Sequence, residues 1–500
     1  MGQLELQREL QRCRRQIVAR NASIATADKR EATTFKRAGD GDSQHCETLR
    51  CSIPDLPEAI WHHIHSLMPM HDAARAACLS RTFLYSWRCH PNLTLDWDTL
   101  GRAHAEKFNI RIDTILRNHS GIGLKILKLH LFDDQITVPY VDSWLQIALT
   151  PGIKELDLAL YETYNFPCLH LSDGVRNSIR CIRLKSCAFH PTVELGPLRC
   201  LTSLYLSSVC ITGDELESLL SNSLALVLLD LFLCADIFFL RIPCTLQQFS
   251  SLRVMACRKL KVIESKAPNL SYIFLSGSEI KFPLGEASQM KKLGLSKKNI
   301  LYYARAALPS IMPNLETLKL TSENEVVNTP MLPIKFLYLK HLTISLILRL
   351  KSAPSYDYIS LLSFLDASPS LETLSLEFFE ECMEPESVLG GSSHLRQLPE
   401  CRHDRLRSVK IFGFSSSKAL VELTCCVAKN AVSLETLVLD TLGNKPRCSG
   451  QNNKTCWPVR KAVLERAFRG LAAIRTYIEA EVPPTAKLTV VEPCTRCHSC

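Results

Sequence analysis

The chain has 500 residues, of which 46% are apolar and 22% are charged. This composition is typical of globular proteins and excludes wholesale disorder, while the length exceeds what one hydrophobic core usually organises. The net charge of +9 is too small for a chain of this size to require a nucleic-acid partner.

Residues 1–51 form a polar segment with few aromatic side chains, which lacks the apolar surface that an ordered domain needs. We predict a mostly disordered tail. Its basic cluster over residues 12–15 is consistent with a nuclear-import signal or with a solvated basic segment. The 22 cysteines of the chain are scattered through apolar segments, which predicts reduced thiols and a cytoplasmic location, a nuclear location, or both.

A short amphipathic helix is predicted next. Pro57 is typical of a first helical position, and Ile60, Ile64 and Leu67 recur at spacings that place them on one helix face. Pro69 predicts the end of this helix.

Two more short helices complete this segment, which we assign to residues 52–97. Asp72 is a candidate cap for the second helix, and Phe83, Leu84 and Trp87 form a third apolar set. Three short helices have a very small core, so we expect them to gain stability by docking apolar surface onto another element.

From about Leu124 onward one pattern dominates, in which apolar residues occupy positions one, four and six of a recurring unit, and we assign residues 98–442 to this repeat region. It occurs at Leu124-Leu127-Leu129, Ile153-Leu156-Leu158, Ile179-Ile182-Leu184, Leu201-Leu204-Leu206, Leu226-Leu229-Leu231, Leu252-Met255-Cys257, Leu270-Ile273-Leu275, Met290-Leu293-Leu295, Leu315-Leu318-Leu320, Leu339-Leu342-Ile344, Leu371-Leu374-Leu376, Leu406-Val409-Ile411 and Leu434-Leu437-Leu439.

This spacing predicts one short strand for each repeat, because two apolar positions that lie two residues apart share one strand face. The sequence therefore predicts a leucine-rich-repeat solenoid in which each coil buries its apolar edge against its neighbours. Cys187 and Cys234 follow the last leucine of their repeats by three positions, where we expect buried structural thiols. Leu224–Leu240, interrupted by Asp230 and Asp236, is predicted to be solenoid strands and not a membrane span.

Residues 443–500 are predicted to cap the solenoid. A helix is expected over Pro458–Glu479 and a closing strand over Leu488–Val491. The predicted apolar face of the helix consists of Val463, Leu464, Ala467, Phe468, Leu471, Ile474 and Ile478.

The last residues carry Cys494, Cys497, His498 and Cys500, which match the spacing of a haem-attachment motif and of half a zinc site. A frayed, reduced tail is the favoured interpretation, so we predict no metal and no cofactor.

The helical segment resembles the F-box of plant F-box and leucine-rich-repeat proteins. The resemblance is carried by Asp55, Leu56, Pro57, Glu58, Ile60, Ile64, Leu67, Pro69, Asp72, Ala73, Arg75, Leu79, Ser80 and Trp87. It extends over Trp87–Leu93, Ser143–Leu145 and the repeats, which are similar to grass-type members. Residues 457–492 resemble the family's FBD segment.

This resemblance implies an α/β fold, with a three-helix F-box preceding a leucine-rich-repeat solenoid. It implies a non-catalytic substrate-recognition subunit of a Skp-cullin-F-box ubiquitin ligase. The F-box would bind the Skp-type adaptor, and through it cullin, while the solenoid would bind an unidentified target protein. Residues implied to build or present the adaptor surface are Leu56, Pro57, Ile60, Ile64, Leu67, Leu79 and Trp87.

The sequence also bears on three other functions, namely catalysis, a repeat scaffold and metal or haem binding. No nucleophile elbow or phosphate loop is present, and only a partial glycine motif occurs at residues 121–123, so catalysis is not expected. A repeat scaffold unconnected to a ligase and a zinc or haem protein acting through the terminal cysteines stay open. A target would lie along the concave strand positions, at Lys128, Asp157, Arg183, Tyr205, Asp230, Lys319, Ser375 and Lys410.

Overall fold

The computed structural model describes residues 56–101, 105–120, 123–131, 138–160, 164–277, 290–348, 356–380, 387–389, 394–398, 402–443 and 459–494. The tail predicted over residues 1–51, with its basic cluster, lies outside the described residues. So do the last three of the four terminal metal-ligand candidates, Cys497, His498 and Cys500.

Three short helices begin the described chain, namely α1 Glu58–Leu67, α2 Met70–Ala77 and α3 Arg81–Arg88. Pro57 and Pro69 stand at the N-caps of α1 and α2, and the Ser80 hydroxyl caps α3 by accepting the Phe83 backbone N–H at 3.1 Å. The prediction that Asp72 caps α2 is wrong. The N-cap is Pro69, three residues before the predicted cap, and Asp72 lies in the first turn, where a negative charge is stabilised by the helix dipole.

Parallel strands make up the rest of the architecture. They are β1 Asn92–Leu95, β2 Ile126–His130, β3 Glu155–Ala159, β4 Cys181–Ala188, β5 Ser203–Cys210, β6 Leu228–Phe232, β7 Phe239–Ile242, β8 Ser251–Met255, β9 Val262–Ser265, β10 Tyr272–Ser276, β11 Lys292–Ser296, β12 Thr317–Glu323, β13 His341–Leu348, β14 Thr373–Glu380, β15 Ser408–Phe412, β16 Thr436–Asp440 and β17 Lys487–Val491. Fifteen of them form one sheet in chain order, and β7 pairs with β9 in a second, two-stranded sheet. The predicted α/β leucine-rich-repeat solenoid is confirmed.

The sheet is held by a ladder of buried side chains. In each central strand two apolar residues face inward and alternate with residues that face outward, as in Leu127 and Leu129 of β2. Neighbouring strands pair these positions directly, so that Leu127 is in register with Leu156, which is in register with Ile182. The sequence pattern located these inward positions in twelve of its thirteen repeats.

The exception is the sixth repeat. There β8 buries Leu252 and Val254, so the predicted set Leu252-Met255-Cys257 is displaced by three residues. The error has a physical cause, because Met255 and Cys257 are apolar at the expected spacing. Met255 instead ends the strand on its outward face, and Cys257 is buried beyond the strand.

Both ends of the sheet reach beyond the predicted repeats. At the start, Leu93 and Leu95 of β1 are fully buried and pair with the two inward residues of β2. This strand lies within the range assigned to the three-helix segment. At the other end, β17 pairs with β16 as the predicted closing strand. The division into domains stays a prediction.

The remaining helices lie in the segments that connect successive strands. They are α4 Trp97–Leu100, α5 Ala105–Asn118, α6 Val138–Ala148, α7 Asp173–Arg176, α8 Gly213–Ser221, α9 Ile300–Ile311, α10 Leu362–Asp366, α11 Lys418–Asn430 and α12 Lys461–Ala473. Short 3-10 helices occupy Cys168–His170, Val193–Leu195, Tyr358–Leu361 and Glu479–Glu481, and a π-helical turn occupies Ile474–Ile478. Of the helices described, none is both long and apolar enough to cross a membrane.

Two details of the predicted C-terminal helix differ in the structure. The helix begins at Lys461, three residues later than predicted, and Phe468 on its apolar face is 40% exposed. The core contacts come from the following turn, where Ile474 and Ile478 are fully buried. The apolar stretch Leu224–Leu240 contains β6 and the start of β7, as the sequence predicted.

The predicted structural thiols are buried. Cys187 and Cys234 are fully buried and unpaired, and Cys257 occupies the same position in a later repeat. The Cys234 thiol donates to the carbonyl oxygen of Leu206, 3.5 Å away, in an earlier coil. Burial raises the pKa of the Cys187 thiol to about 12, which disfavours the reactive thiolate.

Gly413, which follows β15, illustrates how closely adjacent coils approach. Its φ of +74° belongs to the left-handed region, and a Cβ at this position would collide with the Phe378 carbonyl oxygen of β14. Gly123 has a similar φ of +78° with open space around it. A comparison of alanine variants at these two positions therefore separates the cost of a left-handed backbone from the cost of a steric collision.

We predict that Gly413→Ala lowers the free energy of unfolding by more than about 2 kcal/mol, whereas Gly123→Ala costs only the left-handed strain of about 1 kcal/mol. Chemical denaturation monitored by circular dichroism measures both. Equal losses for the two variants would contradict the close approach at Gly413.

Glu325 is a fully buried carboxylic acid between β12 and α9. It accepts hydrogen bonds from the Ser322 hydroxyl and from the Leu301 backbone N–H, the latter at 3.3 Å, but its second oxygen has no partner among the described atoms. Burial raises the pKa of Glu325 above its ordinary value of 4.5, against the effect of these two hydrogen bonds. The folded chain therefore binds this proton more tightly than the unfolded chain does.

Because the pKa is raised on folding, the protonated carboxyl stabilises the fold below pH 4.5, and this contribution is lost as the pH rises through the folded pKa. We predict that Glu325→Gln adds roughly 1 kcal/mol to the unfolding free energy at neutral pH and nothing at acidic pH. Urea unfolding at a series of pH values tests this. Glu323→Gln, at an exposed position two residues away, is the control and should show no such pH dependence.

Candidate protein-interaction surfaces

The seven predicted adaptor residues divide into three groups by burial. Ile60 is buried, with 6% of its surface exposed, while Leu67 and Leu79 are 65% and 73% exposed. Pro57 is also exposed, and the remaining three, Leu56, Ile64 and Trp87, are half-buried. The helix face predicted from Ile60, Ile64 and Leu67 is thus covered only at its N-terminal end.

A small core holds the three helices together. Phe83 of α3 is buried, and its ring contacts those of Trp61 and His65, with centroid distances of 4.6 and 5.1 Å. Burial lowers the pKa of His65, and the nearby His90 lowers it further, so this side chain stays neutral among apolar neighbours. Ile60 is buried within the same three-helix segment.

The same helices dock onto the first coil of the solenoid, as their small size predicts. Met70 is part of the main core, and Trp87 packs against that core. The His90 ring is hydrogen-bonded to the Asn92 carbonyl oxygen at 2.7 Å and lies 3.3 Å from the Met68 carbonyl oxygen. Trp87 therefore connects the helices to the sheet, whereas Leu67 and Leu79 present apolar surface to solvent.

Sequence analysis did not identify two further side chains of α3 as exposed. Leu84 and Tyr85 are 37% and 52% exposed. Sequence analysis placed Leu84 with Phe83 and Trp87 in one apolar set. The helical wheel could have separated them, because successive residues of a helix are about 100° apart and Phe83 fixes the buried side.

The second candidate surface is the open face of the sheet, which we define as the outward-facing side chains of the fifteen paired strands. These residues alternate with the buried ladder and are mostly half-buried or exposed. All eight predicted concave positions lie on this face, and register pairs their strands in chain order, as in Lys128 with Asp157 and Asp157 with Arg183.

From β2 to β8 every carboxylate on the open face contacts a basic side chain on a neighbouring strand. Asp157 contacts the His130 ring at 3.1 Å, Glu155 contacts Arg183, and Asp230 contacts Arg253 at 3.0 Å. Burial raises the pKa of Asp230, and Arg253 acts in the opposite direction. Each of these contacts joins adjacent strands.

Aromatic rings extend two of these pairs along the sheet. The Arg183 guanidinium lies 4.6 Å from the centroid of the Tyr205 ring, and the Arg253 guanidinium lies 6.0 Å from that of Phe274. Such cation–π contacts contribute about 0.5–1 kcal/mol at exposed sites and fix the orientation of the guanidinium. Both rings are half-buried on the open face.

Metal ligation finds no support in the part of the chain that the structure describes, where no three His, Cys, Asp or Glu side chains could hold an ion. The candidate terminal site is not tested by this, because of its four residues only Cys494 is described.

A family model described as "At1g61320/AtMIF1, LRR domain" matches residues 115–495. Among curated proteins, the F-box/LRR-repeat protein At4g14096 of Arabidopsis thaliana is 30% identical over 360 residues, which is 64% of this chain and 72% of that protein. The F-box/FBD/LRR-repeat protein At1g13570 of the same plant is 28% identical over 240 residues, or 45% of this chain and 49% of that protein. This second match thus spans about half of the relative's length.

A structural comparison gives a weaker likeness. A solved leucine-rich-repeat protein of Leptospira interrogans matches over 80% of this chain and 95% of its own, with 13% sequence identity and a TM-score of 0.32. A TM-score this low adds nothing to the fold assignment, which depends on the parallel sheet and its buried ladder.

The division of the helical residues by burial can be tested through local stability. We predict that Ile60→Ala lowers the local opening free energy of α1–α3 by about 2 kcal/mol or more, because it leaves a cavity in their small core. Leu67→Ala should change it by less than about 0.5 kcal/mol. Amide hydrogen exchange of the three helices measures both, and a comparable loss for Leu67→Ala would show that Leu67 is not at the surface.

Proposed function

This chain belongs to the plant F-box/leucine-rich-repeat family, and from that premise we propose that it is a substrate-recognition subunit of a Skp-cullin-F-box ubiquitin ligase. Its F-box helices bind the Skp-type adaptor, and the open face of its sheet binds a target protein. The observation that carries the proposal is the pair of exposed leucines in the helical segment, Leu67 at the end of α1 and Leu79 in the turn between α2 and α3.

Single exposed leucines are common on protein surfaces, whereas several large apolar side chains exposed on one small helical unit favour a protein interface. Burial of two leucines against a partner contributes several kcal/mol before the costs of association are subtracted. Leu84 and Tyr85 of α3 add to the apolar surface that these helices expose. We assign Ile60 and Trp87 to holding the helices in place, and Leu67 and Leu79 to adaptor contact.

No bond chemistry is required of such a subunit. Holding a target and the ligase assembly on one chain raises the effective concentration of a target lysine near the conjugating enzyme. The rate gain then comes from proximity, since a bimolecular encounter becomes an intramolecular one.

A scaffold with no ligase connection is the second candidate, and one observation favours it. The docking of Met70 and Trp87 onto the first coil is what an N-terminal cap of a repeat protein requires. Adaptor binding distinguishes the two functions, because a scaffold with no ligase connection would not bind the Skp-type adaptor.

The test is co-purification of the full chain with the Skp-type adaptor and cullin. We predict that Leu67→Glu/Leu79→Glu reduces adaptor affinity at least about tenfold, since it places two charges in an apolar interface. The thermal midpoint should stay unchanged because both side chains are exposed.

Leu169→Glu/Leu224→Glu is the matched control, since these leucines are 83% and 56% exposed but lie on the solenoid. It should retain adaptor binding. If the folded, unmodified chain captures no adaptor, the ligase function is wrong and the scaffold function takes its place.

A further inference from the structure

The connection between β12 and β13 differs from its neighbours. Residues 324–340 contain no helix and no strand, whereas the connections before and after them carry α9 and α10. Loops longer than about 15 residues without regular structure are uncommon in a compact fold and usually have a function. We call residues 326–338 the apolar loop.

The apolar loop exposes several large apolar side chains. Six of them are between 40% and 63% exposed, namely Val326, Val327, Met331, Ile334, Leu337 and Tyr338. Single exposed apolar residues are normal on a protein surface, but a group of this size in one short segment indicates an interaction site. Tyr302 and Tyr303, in the first turn of α9, are also exposed.

Arg305 of α9 holds the backbone of this loop. Its side chain is fully buried and donates to the carbonyl oxygens of Leu332 and of Ile334, the latter at 2.9 Å, and to that of Ser363 at 3.0 Å. No carboxylate among the described residues forms an ion pair with it. Burial lowers the pKa of Arg305, against the effect of Asp366. Because a buried charge without a counter-charge is costly, stability alone explains this arginine poorly.

Backbone hydrogen bonds attach the loop to both neighbouring coils. On one side the Asn299 side chain, just before α9, accepts the Val326 backbone N–H at 3.1 Å. On the other side the Phe336 backbone N–H donates to the Ala367 carbonyl oxygen at 2.7 Å. The exposed apolar side chains are therefore presented on a fixed backbone, which reduces the conformational entropy lost on binding.

The exposed charges of the apolar loop and of its attachment to α9 are positive. The loop contains Lys335 and no carboxylate, and the exposed Lys298 precedes the Asn299 that holds Val326. A two-fold contact with a second copy of this chain would bring like charges to the same interface, which disfavours self-association.

The carboxylates of the surrounding segments do not cancel these lysines. Glu325 is fully buried, while Glu316 and Asp357 are half-buried and already form ion pairs within the chain. Glu323 is exposed, but it lies on the open face at the end of β12. A partner with carboxylates beside its own apolar residues would therefore complement the apolar loop.

The dimensions of the loop suit a helical segment of the partner. The loop is attached to α9 at Asn299 and at Arg305, which lie about 9 Å apart along the helix axis. Residues seven positions apart on one face of a partner helix are separated by about 10.5 Å, so two turns of such a helix span this distance.

We infer that the apolar loop binds an amphipathic helix of a partner protein, whose apolar face is bordered by Asp or Glu residues. Met331 and Ile334 contact the apolar face of that helix, and Lys335 pairs with its carboxylates. The surface is separate from the F-box helices and from the open face, so the inference goes beyond the proposed function and does not depend on it.

The test begins with a phage-displayed library of amphipathic helices of about 16 residues, in which the positions beside a leucine face are randomised among Glu, Lys, Gln and Ser. Phage that bind the Met331→Glu/Ile334→Glu variant are removed first, and the remainder is selected on the immobilised full chain. Glu should be enriched at the randomised positions. The thermal midpoint of the variant should equal that of the unmodified chain, because both side chains are exposed.

The most enriched peptide, synthesised with a fluorophore, is then titrated by anisotropy. Lys335→Glu should lower its affinity at least about fivefold, because it reverses the charge that faces the peptide carboxylates. The matched control is Lys185→Glu, which makes the same charge change at an exposed position of β4 and should lower the affinity less than about twofold. Equal losses in the two variants would mean bulk charge attraction and would overturn the inference.

No enrichment after the removal step, or enrichment of Lys over Glu, would also overturn it. Sedimentation that shows a dimer, dissociated by Met331→Glu/Ile334→Glu, would assign the apolar loop to a second copy instead. Binding to vesicles of phosphatidylcholine and phosphatidylserine, abolished by the same variant, would assign it to a membrane surface. Adaptor capture by the same preparations should be unchanged in every loop variant, so the proposed function is judged separately.

Discussion

The structure depends on one constraint, which is that a single coil of this chain cannot bury its own leucines. Two inward side chains per strand, as in Leu318 and Leu320 of β12, are covered only when the coils before and after are in place. The two ends of the sheet must then be covered by something other than a repeat. The three N-terminal helices meet this need through Met70 and Trp87, and the C-terminal turn meets it through Ile474 and Ile478.

The sequence predicted most of this architecture because the repeat signal is local. Six residues suffice to identify an inward pair, and neighbouring repeats support the same register. The prediction failed where the local pattern fitted two registers. At Leu252 the residues Met255 and Cys257 are also apolar at the repeat spacing, so the predicted register lay three residues further along the chain. It also missed β1, because the residue that would open the repeat before Leu93 is polar, and it missed the small sheet of β7 and β9.

The candidate surfaces could be predicted from the sequence less completely than the fold. The sequence placed Ile60, Leu67 and Trp87 in one motif, but only the tertiary structure separates a side chain that packs inside the helices from one that faces solvent. On the sheet, Arg183 and Glu155 are 28 residues apart. Their contact depends on the pairing of strands whose separation varies from repeat to repeat, so no fixed sequence interval predicts it.

The continuous strand order also makes the sheet a spacer. Between β1, where the helices dock, and β15, which carries Lys410, the chain takes twelve strand-to-strand steps, or roughly 58 Å along the sheet. Every step is fixed by backbone hydrogen bonds and by the inward ladder, so this contour length varies little. Insertions between strands change the loops and leave the spacing intact. Natural variation can therefore alter the residues presented along the sheet while the distance between these two strands stays constant.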